Sequence, residues 1–216
     1  MTSISGIKYQ AELESLPYFN KTTSSTLIGK TGRNLDQKID QLIRIGYLKT
    51  LKKGLYVTDP YSTKTDNLSY IEFIGNVLRE PSYISSEYVL ANSGLIPESV
   101  FSLTLITTKT TRKFSNFLGN FIYRNIKPEL FLGFNERKWS GKTIFVATKA
   151  KAIFDFFYLK NLKYINSSVA DARINWYEFS QEDLEQFKLY VKLSNSQKMQ
   201  AVLKSIEKQY ADYQAN

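Results

Sequence analysis

The 216-residue sequence predicts a mixed α+β protein with two domains. Apolar residues recur at helical spacing near both ends of the chain, whereas the middle contains short β-type runs separated by Gly, Asn and Lys. Helices and strands do not alternate as they do in a doubly wound sheet, which favours the α+β class. Hydrophobic residues make up 43% of the chain, which is enough for a packed core.

The stretch LIRIGYLKTLKKGLYV, residues 42–57, contains a change from helix to strand. An apolar helical run ends at Gly46, which fits the first position after a helix. YLKTL then predicts a strand, Lys52, Lys53 and Gly54 predict a turn, and LYV predicts the returning strand. This stretch therefore predicts the end of a helix followed by a β-hairpin.

Three helices are predicted before this hairpin. The first runs from Ile7 to about Leu16, and the second lies within Thr23–Gly32. Asn34 is the predicted cap of the third helix, with Gln37 at the spacing of a capping box. The apolar stripe of the third helix consists of Leu35, Ile39, Leu42 and Ile43.

Three helices followed by a hairpin is the order of a winged helix-turn-helix, which predicts a DNA-binding domain over residues 1–60. Its third helix would lie in the major groove of double-stranded DNA and its hairpin would be the wing. Gln and Asn suit adenine, Arg and Lys suit guanine or phosphate, and wing lysines suit phosphate. A solvated helix face and a protein-interaction module are the alternatives. The predicted contacts are Arg33, Asn34, Gln37, Lys38, Gln41, Arg44, Lys49, Lys52 and Lys53.

The net charge of +9 is concentrated in two blocks. Residues 1–60 carry a net +4 and residues 109–151 a net +8, while residues 61–108 carry −3 and residues 152–216 carry zero. A basic surplus of this kind indicates a polyanionic partner. An exposed hairpin without a ligand is the alternative for the second block. The predicted second basic patch consists of Lys109, Arg112, Lys113, Arg124 and Lys127.

Residues 61–216 are expected to form an α+β domain with a small, mainly antiparallel sheet and C-terminal helices, after a polar linker at Asp59–Asn67. Helices are predicted from Leu68 to Leu78 and from Ser85 or Ser86 onwards. The predicted strands lie in VFSLTLITT, RKFSNFLGNFIYRNI, LFLGF and KTIFVAT. The later helices are predicted at Lys149–Asn161, from a Ser180/Asp183 capping signal towards Leu193, and from about Ser196 to Tyr213.

The absence of His and Cys excludes Ser-His-Asp and Cys-His catalysis, His and Cys metal sites, and disulfides. No phosphate-binding glycine motif and no tight acidic cluster is present, so we expect no cofactor, no metal and no enzyme activity. Helical spacing in IFDFFYL indicates core packing rather than a base-stacking platform, and Asp155 is expected to pair with a lysine or cap a loop. No apolar run approaches roughly 18 residues and the N-terminus lacks a signal segment, which predicts a cytoplasmic protein without membrane contact.

The chain contains, in this order, LIRIGYLKTLKKGLYV, EPSYISSEYVLANSGLIPE, LTLITTKTTRKFSNFLGNFIYRNI and VATKAKAIFDFFYL. Together these four segments resemble the AbiEi antitoxin family, predicted transcriptional regulators from bacterial abortive-infection systems. LIRIGYLKTLKKGLYV is similar to the end of the family's third helix and its wing. EPSYISSEYVLANSGLIPE, LTLITTKTTRKFSNFLGNFIYRNI and VATKAKAIFDFFYL are similar to three later segments. In the last of these, Lys151, Ala152, Asp155 and Tyr158 fit the family pattern, whereas Ala150 stands where glutamate is usual. The resemblance extends to about residue 160.

The resemblance implies an antitoxin of a type IV toxin–antitoxin pair. Such a protein represses its own operon by binding operator repeats upstream of it, and it counters a nucleotidyltransferase-type toxin without forming a stable complex. A regulator of the same architecture without a cognate toxin is the second hypothesis. A nucleic-acid-processing enzyme is the third, and the missing histidine and acidic clusters disfavour it.

Overall fold

A computed structural model of the chain describes residues 6–65 and 67–215. These residues divide into two units. The first unit contains the described residues up to Ile71 together with Phe114–Leu118, and the second contains Glu72–Lys113 and the residues from Gly119 onwards. The division therefore falls after Ile71 rather than at residue 60, and the first unit includes a short segment from later in the chain.

The first unit contains helices around a three-stranded antiparallel sheet of order β1–β3–β2. Its elements are α1 (Gln10–Glu14), β1 (Phe19–Asn20), α2 (Lys21–Ile28), α3 (Gly32–Arg44), β2 (Leu48–Lys52), β3 (Leu55–Thr58) and α4 (Asp59–Lys64). The core of this unit includes Leu13, Phe19, Ile28, Leu35, Ile39, Leu42, Tyr47 and Leu48. The short strand β1 and its pairing with β3 were not predicted.

The apolar stripe of α3 is confirmed, but the predicted cap of this helix is wrong. Leu35, Ile39 and Leu42 are buried against the core of the first unit. Thr31, rather than Asn34, is the cap residue, and Leu35 N–H already donates to Thr31 O at 3.2 Å. The first turn of α3 is exposed, so water can bind its free N–H groups without a capping side chain.

Gly46 ends α3 as predicted. Its φ of +75° is a left-handed conformation that glycine adopts without steric cost. Gly46 N–H donates to Ile43 O and Tyr47 N–H donates to Leu42 O, each at 3.0 Å, which satisfies two of the last carbonyls of the helix. The chain then enters β2 and forms the β2–β3 hairpin.

Most of the segment predicted to be a linker is instead the helix α4 (Asp59–Lys64), and Asp66 of that segment lies outside the described residues. Thr58 caps it, because the Thr58 side chain accepts a hydrogen bond from Tyr61 N–H at 3.3 Å. Pro60 lies in the first turn, where no backbone N–H is needed and the fixed φ of proline suits a helix. Proline was interpreted as a loop signal, but at this position it favours the start of a helix.

The second unit combines a mixed sheet with helices, and its C-terminal helices are confirmed. Its strands are β4 (Ser82–Ile84), β5 (Leu103–Thr107), β6 (Arg112–Asn116, which ends in the first unit), β7 (Gly119–Asn125), β8 (Phe134–Trp139) and β9 (Lys142–Ala147). Its helices are α5 (Asn67–Leu78, which begins in the first unit), α6 (Glu87–Asn92), α7 (Lys149–Leu159), α8 (Ile165–Ala170), α9 (Gln181–Ser194) and α10 (Gln197–Gln214). The capping box predicted from Ser180 and Asp183 is present at the start of α9.

The strand order in the sheet is β6–β7–β5–β4–β9–β8. Antiparallel pairs join β4 to β5 and β8 to β9, as expected for a small antiparallel sheet. Parallel pairs, which were not predicted, join β5 to β7 and β4 to β9. The predicted strand in LFLGF is wrong, since Pro128–Leu130 forms a 3-10 turn and β8 begins only at Phe134.

Helix α7 lies in the interior of the second unit. Eight consecutive residues, from Ala150 to Phe157, are buried, because α6, α9, α10 and β9 all pack against this helix. The prediction that IFDFFYL packs in a core is confirmed. A helix that is apolar on all sides is stable in water only when other elements pack against every side of it.

A buried ion pair joins two residues of α7. Lys151 Nζ lies 2.7 Å from Asp155 Oδ1, and the two side chains are 1% and 0% exposed. Asp155 Oδ2 accepts hydrogen bonds from Tyr83 Oη at 3.0 Å and Ser85 Oγ at 2.7 Å. The expectation that Asp155 pairs with a lysine is confirmed.

Aromatic rings surround the ammonium group of this pair. Lys151 Nζ lies 4.6 Å from the ring centre of Phe154 and 5.6 Å from that of Tyr190. Burial raises the pKa of the Asp155 carboxyl and lowers the pKa of the Lys151 amine. The opposite charge and the hydrogen bond between the two groups oppose both shifts, and the hydrogen bonds from Ser85 and Tyr83 also oppose the rise in the pKa of Asp155.

We expect Asp155→Ala to lower the free energy of unfolding by about 3–5 kcal/mol, because it leaves the Lys151 ammonium buried without a counter-charge. Replacing both partners with apolar residues, as in Lys151→Met with Asp155→Leu, should restore much of that loss. Urea unfolding followed by circular dichroism measures both changes.

A surface pair on α9 provides the control, in which the exposed Glu185 and the half-buried Lys188 have their charged atoms 2.8 Å apart. Glu185→Ala should barely move the urea midpoint, because the Lys188 ammonium stays accessible to water and keeps Glu207 as a partner at 3.5 Å. An equally small effect of Asp155→Ala would contradict the importance of the buried pair.

Candidate nucleic-acid interface

The exposed face of α3 carries most of the predicted DNA contacts. Burial of the apolar stripe leaves the opposite side of the helix in solvent. Arg33, Asn34, Gln37, Gln41 and Arg44 are exposed there, and Lys38 is half-buried at the side. The structure therefore groups the six predicted helix residues around one accessible surface.

A shallow depression of about 330 Å³ lies on this face. Its lining consists of Gln37, Asp40, Gln41, Arg44 and Ile45. Amide and guanidinium groups side by side can form paired hydrogen bonds with adenine and guanine edges. Ile45 is 60% exposed beside them, and an apolar side chain in this position can contact a thymine methyl group.

Lys38 and Gln41 are linked to each other. Lys38 Nζ donates a hydrogen bond to Gln41 Oε1 at 3.2 Å. A bidentate contact to adenine uses both the oxygen and the nitrogen of a glutamine amide. Because the Gln41 oxygen has two lone pairs, it can accept from Lys38 and from a base at the same time, and Lys38 then orients the amide.

Two acidic residues on α3 were missed by the sequence analysis. Asp36 pairs with Lys21 of α2 at 2.5 Å, and this hydrogen bond raises the pKa of the Lys21 amine. Asp40 is exposed inside the depression. A carboxylate there repels phosphate and can accept a hydrogen bond from cytosine N4. The only signal in the sequence was their position among the residues of the polar face.

The three hairpin lysines have different surroundings. Lys53 is exposed at the turn between β2 and β3, and Lys52 is half-buried at the end of β2. Lys49, by contrast, lies 2.5 Å from Asp59 and 3.3 Å from Ser62 Oγ. Its Nζ also lies 4.9 Å from the ring centre of Phe117. The Lys49 ammonium is therefore paired with groups of the first unit itself.

The second basic patch lies around β6 and the end of β7. Lys109, Arg112, Lys113 and Lys127 are exposed, and Arg124 is half-buried. Asn125 Nδ2 donates to Thr108 O at 3.1 Å and to Lys109 O at 3.0 Å, which holds the loop before β6 against the end of β7. Arg112 and Lys113 are neighbours on one strand, so their side chains point to opposite sides of the sheet.

Arg79 supports the same loop, although the sequence offered no signal for it. Its Nη2 donates to Thr110 O at 2.8 Å and to Thr110 Oγ1 at 2.7 Å. Its Nε is buried without a hydrogen-bond partner among the described residues. Arg79 therefore adds a half-buried guanidinium to the predicted patch.

Neither a model of a known protein family nor any curated protein matches this sequence. The likeness to AbiEi antitoxins consequently remains a prediction from the residues quoted above. Within residues 6–65 and 67–215, no three Asp or Glu residues are grouped so that they could hold a metal ion. No helix in that part of the chain combines the length and the apolar character needed to cross a membrane.

Proposed function

We propose that the first unit is a winged helix that binds double-stranded DNA, with α3 in the major groove and the β2–β3 hairpin as the wing. This proposal rests on the face of α3 that is exposed and polar, with three basic and two acidic side chains, opposite a buried apolar stripe. A helix of 13 residues is about 20 Å long and can lie in a groove about 12 Å wide.

The chemistry of this face favours nucleic acid over a protein partner. Gln37, Gln41 and Arg44 have the donors and acceptors that read base edges. Lys53 at the hairpin turn suits a phosphate. A protein-binding face of this size would be expected to have an apolar centre, whereas Ile45 is the one hydrophobic residue lining the depression on α3.

The resemblance to AbiEi antitoxins extends the proposal. The chain would repress its own operon by binding operator repeats, and it would counter a nucleotidyltransferase-type toxin without forming a stable complex. The neighbouring gene distinguishes this function from that of a regulator without a toxin. A nucleotidyltransferase reading frame downstream favours the antitoxin, and rescue of cells that express this toxin tests it directly.

Binding to DNA from upstream of the chain's own operon tests the proposal. Gln41→Ala and Arg44→Ala should each weaken binding to this DNA by about 1–3 kcal/mol, because each removes a base contact. Fluorescence anisotropy with operator and random duplexes measures the difference between specific and non-specific affinity.

Gln200→Ala on the exposed surface of α10 is the matched control and should leave both affinities unchanged. Equal losses on operator and random DNA would show that α3 does not read the sequence. If the unaltered protein binds neither duplex, the DNA-binding proposal fails.

The hairpin lysines allow a separate test of the wing. Reversing the charge at Lys52 and Lys53 should weaken binding to all sequences and reduce the slope of log K against log salt by about 0.9 for each phosphate that the variant no longer neutralises. Salt titrations of the variant and the unaltered protein give both slopes.

Lys49→Gln is the control within the same hairpin. Because Lys49 pairs with Asp59 at 2.5 Å, its loss should leave the salt slope unchanged. A larger change in slope for Lys49→Gln than for Lys52 and Lys53 would refute this assignment of the wing contacts.

The second basic patch should also contact phosphates. Changing Arg112, Lys113, Arg124 and Lys127 to Gln should lower operator affinity and reduce the salt slope by up to several units, at about 0.9 for each phosphate. The same measurements on a variant with Lys163, Lys192, Lys204 and Lys208 changed to Gln control for the loss of four charges, since these lysines are exposed elsewhere.

Two outcomes of this test exclude each other. Retained operator affinity together with a failure to rescue cells from the toxin would assign the patch to neutralisation instead of DNA binding. An equal loss in the control variant would show that net charge alone, rather than the patch, accounts for the effect.

A further inference from the structure

The second unit contains a cavity of about 420 Å³ that opens to solvent between α5 and the strands β4, β8 and β9. It lies where β4 and β9 separate, since their parallel pairing is at Ile84 and Val146. Asn76 of α5 joins the two strands beyond that point. Its Nδ2 donates to Ser82 O at 3.1 Å and its Oδ1 accepts from Phe145 N–H at 2.8 Å.

Four phenylalanine rings line this cavity, namely those of Phe73, Phe131, Phe134 and Phe145. The central ring, Phe134, contacts Phe131 and Phe145 at centroid distances of 5.3 and 5.7 Å. Behind it, the buried ring of Tyr83 stacks at 4.6 Å. The aromatic wall is therefore held in place before any ligand arrives.

The polar groups of the lining are mostly engaged already. The side-chain amide of Asn76 is hydrogen-bonded to the backbone of β4 and β9, and Ser82 Oγ donates to Asn76 O at 3.3 Å. Thr143 Oγ1 accepts a hydrogen bond from Lys138 Nζ at 2.7 Å. Glu80 is the one charged residue of the lining, it is exposed, and no Lys or Arg of the described chain pairs with it.

We propose that this cavity binds a small, flat aromatic compound that carries a positive charge. Ring faces attract both an aromatic ligand and a cation, and the Glu80 carboxylate adds a counter-charge at one place on the lining. The volume lies within the range of small-molecule pockets and suits a ligand of one or two fused rings. The same carboxylate disfavours an anionic ligand of equal shape.

The position of the cavity is independent of the proposed DNA contacts. All of its lining residues belong to the second unit, and none of them is a member of the two basic surfaces described above. A failure of DNA binding would leave this proposal standing, and the reverse also holds.

Three probes of the same shape and different charge test the proposal by isothermal titration calorimetry on the full chain. They are 2-(1-naphthyl)ethylamine, 2-(1-naphthyl)ethanol and 1-naphthaleneacetate. We expect the amine to bind about tenfold more tightly than the alcohol, as a cation–π contact with a nearby carboxylate allows. The acetate should bind more weakly than the alcohol.

Two variants locate the bound amine. Glu80→Gln should reduce its affinity towards that of the alcohol, since only the cation–π contact with the rings then remains, without changing the affinity of the alcohol. Val77→Phe should weaken binding of both probes, because Val77 lines the cavity and a larger ring fills it. Glu182→Gln, which removes an exposed carboxylate on α9, is the control and should change neither affinity.

The proposal is overturned if none of the three probes binds, or if the acetate binds as tightly as the amine. It is also overturned if Glu80→Gln leaves the preference for the amine intact. These results do not depend on Val77→Phe, so a failure of that variant to fold would leave the test decisive.

Discussion

The buried ion pair between Lys151 and Asp155 is the constraint on which much of the second unit depends. Two charges inside a protein need several partners, and these come from separate parts of the chain. Tyr83 and Ser85 bond to the carboxylate from the end of β4. Gly133 leaves room for the side chains of Lys151 and Tyr190, since a Cβ there would lie 2.5 Å from Tyr190 Oη and 3.1 Å from Lys151 Cγ. The pair thus holds α7, β4 and the segment before β8 in one arrangement.

Tyr83 connects the buried ion pair to the aromatic cavity. Its hydroxyl bonds to Asp155, while its ring stacks on Phe134 and so supports the cavity wall. On the neighbouring side, Asn76 supplies the hydrogen bonds that β4 and β9 do not make with each other. Gly75 beside it allows α5 to approach β5 closely, because a Cβ there would overlap a methyl carbon of Leu103. The cavity is a consequence of strands that separate and of the polar residue that bridges them.

The number of basic residues in the first unit is larger than the number of positive charges that its surface offers to a ligand. Lys49 and Lys53 lie on the same hairpin, yet Lys49 pairs with Asp59 and the ring of Phe117, whereas Lys53 is exposed. Asp40 adds a carboxylate in the middle of the basic face of α3. A DNA ligand would meet a surface with both donors and an acceptor, which favours sequence discrimination over binding by charge alone.

Short-range features of this protein were determined by the sequence itself. The stripe of α3, its end at Gly46 and the capping box at Ser180 depend on residues three or four positions apart, whose contacts follow from helical geometry. The exposed residues of α3 were predictable for the same reason. The parallel pairs β5–β7 and β4–β9, the partners of Lys49 and the aromatic cavity were decided only by the tertiary structure. Each of them joins residues too far apart along the chain for the geometry of one helix or strand to bring them together, and no local pattern of residue types specifies which of them will meet.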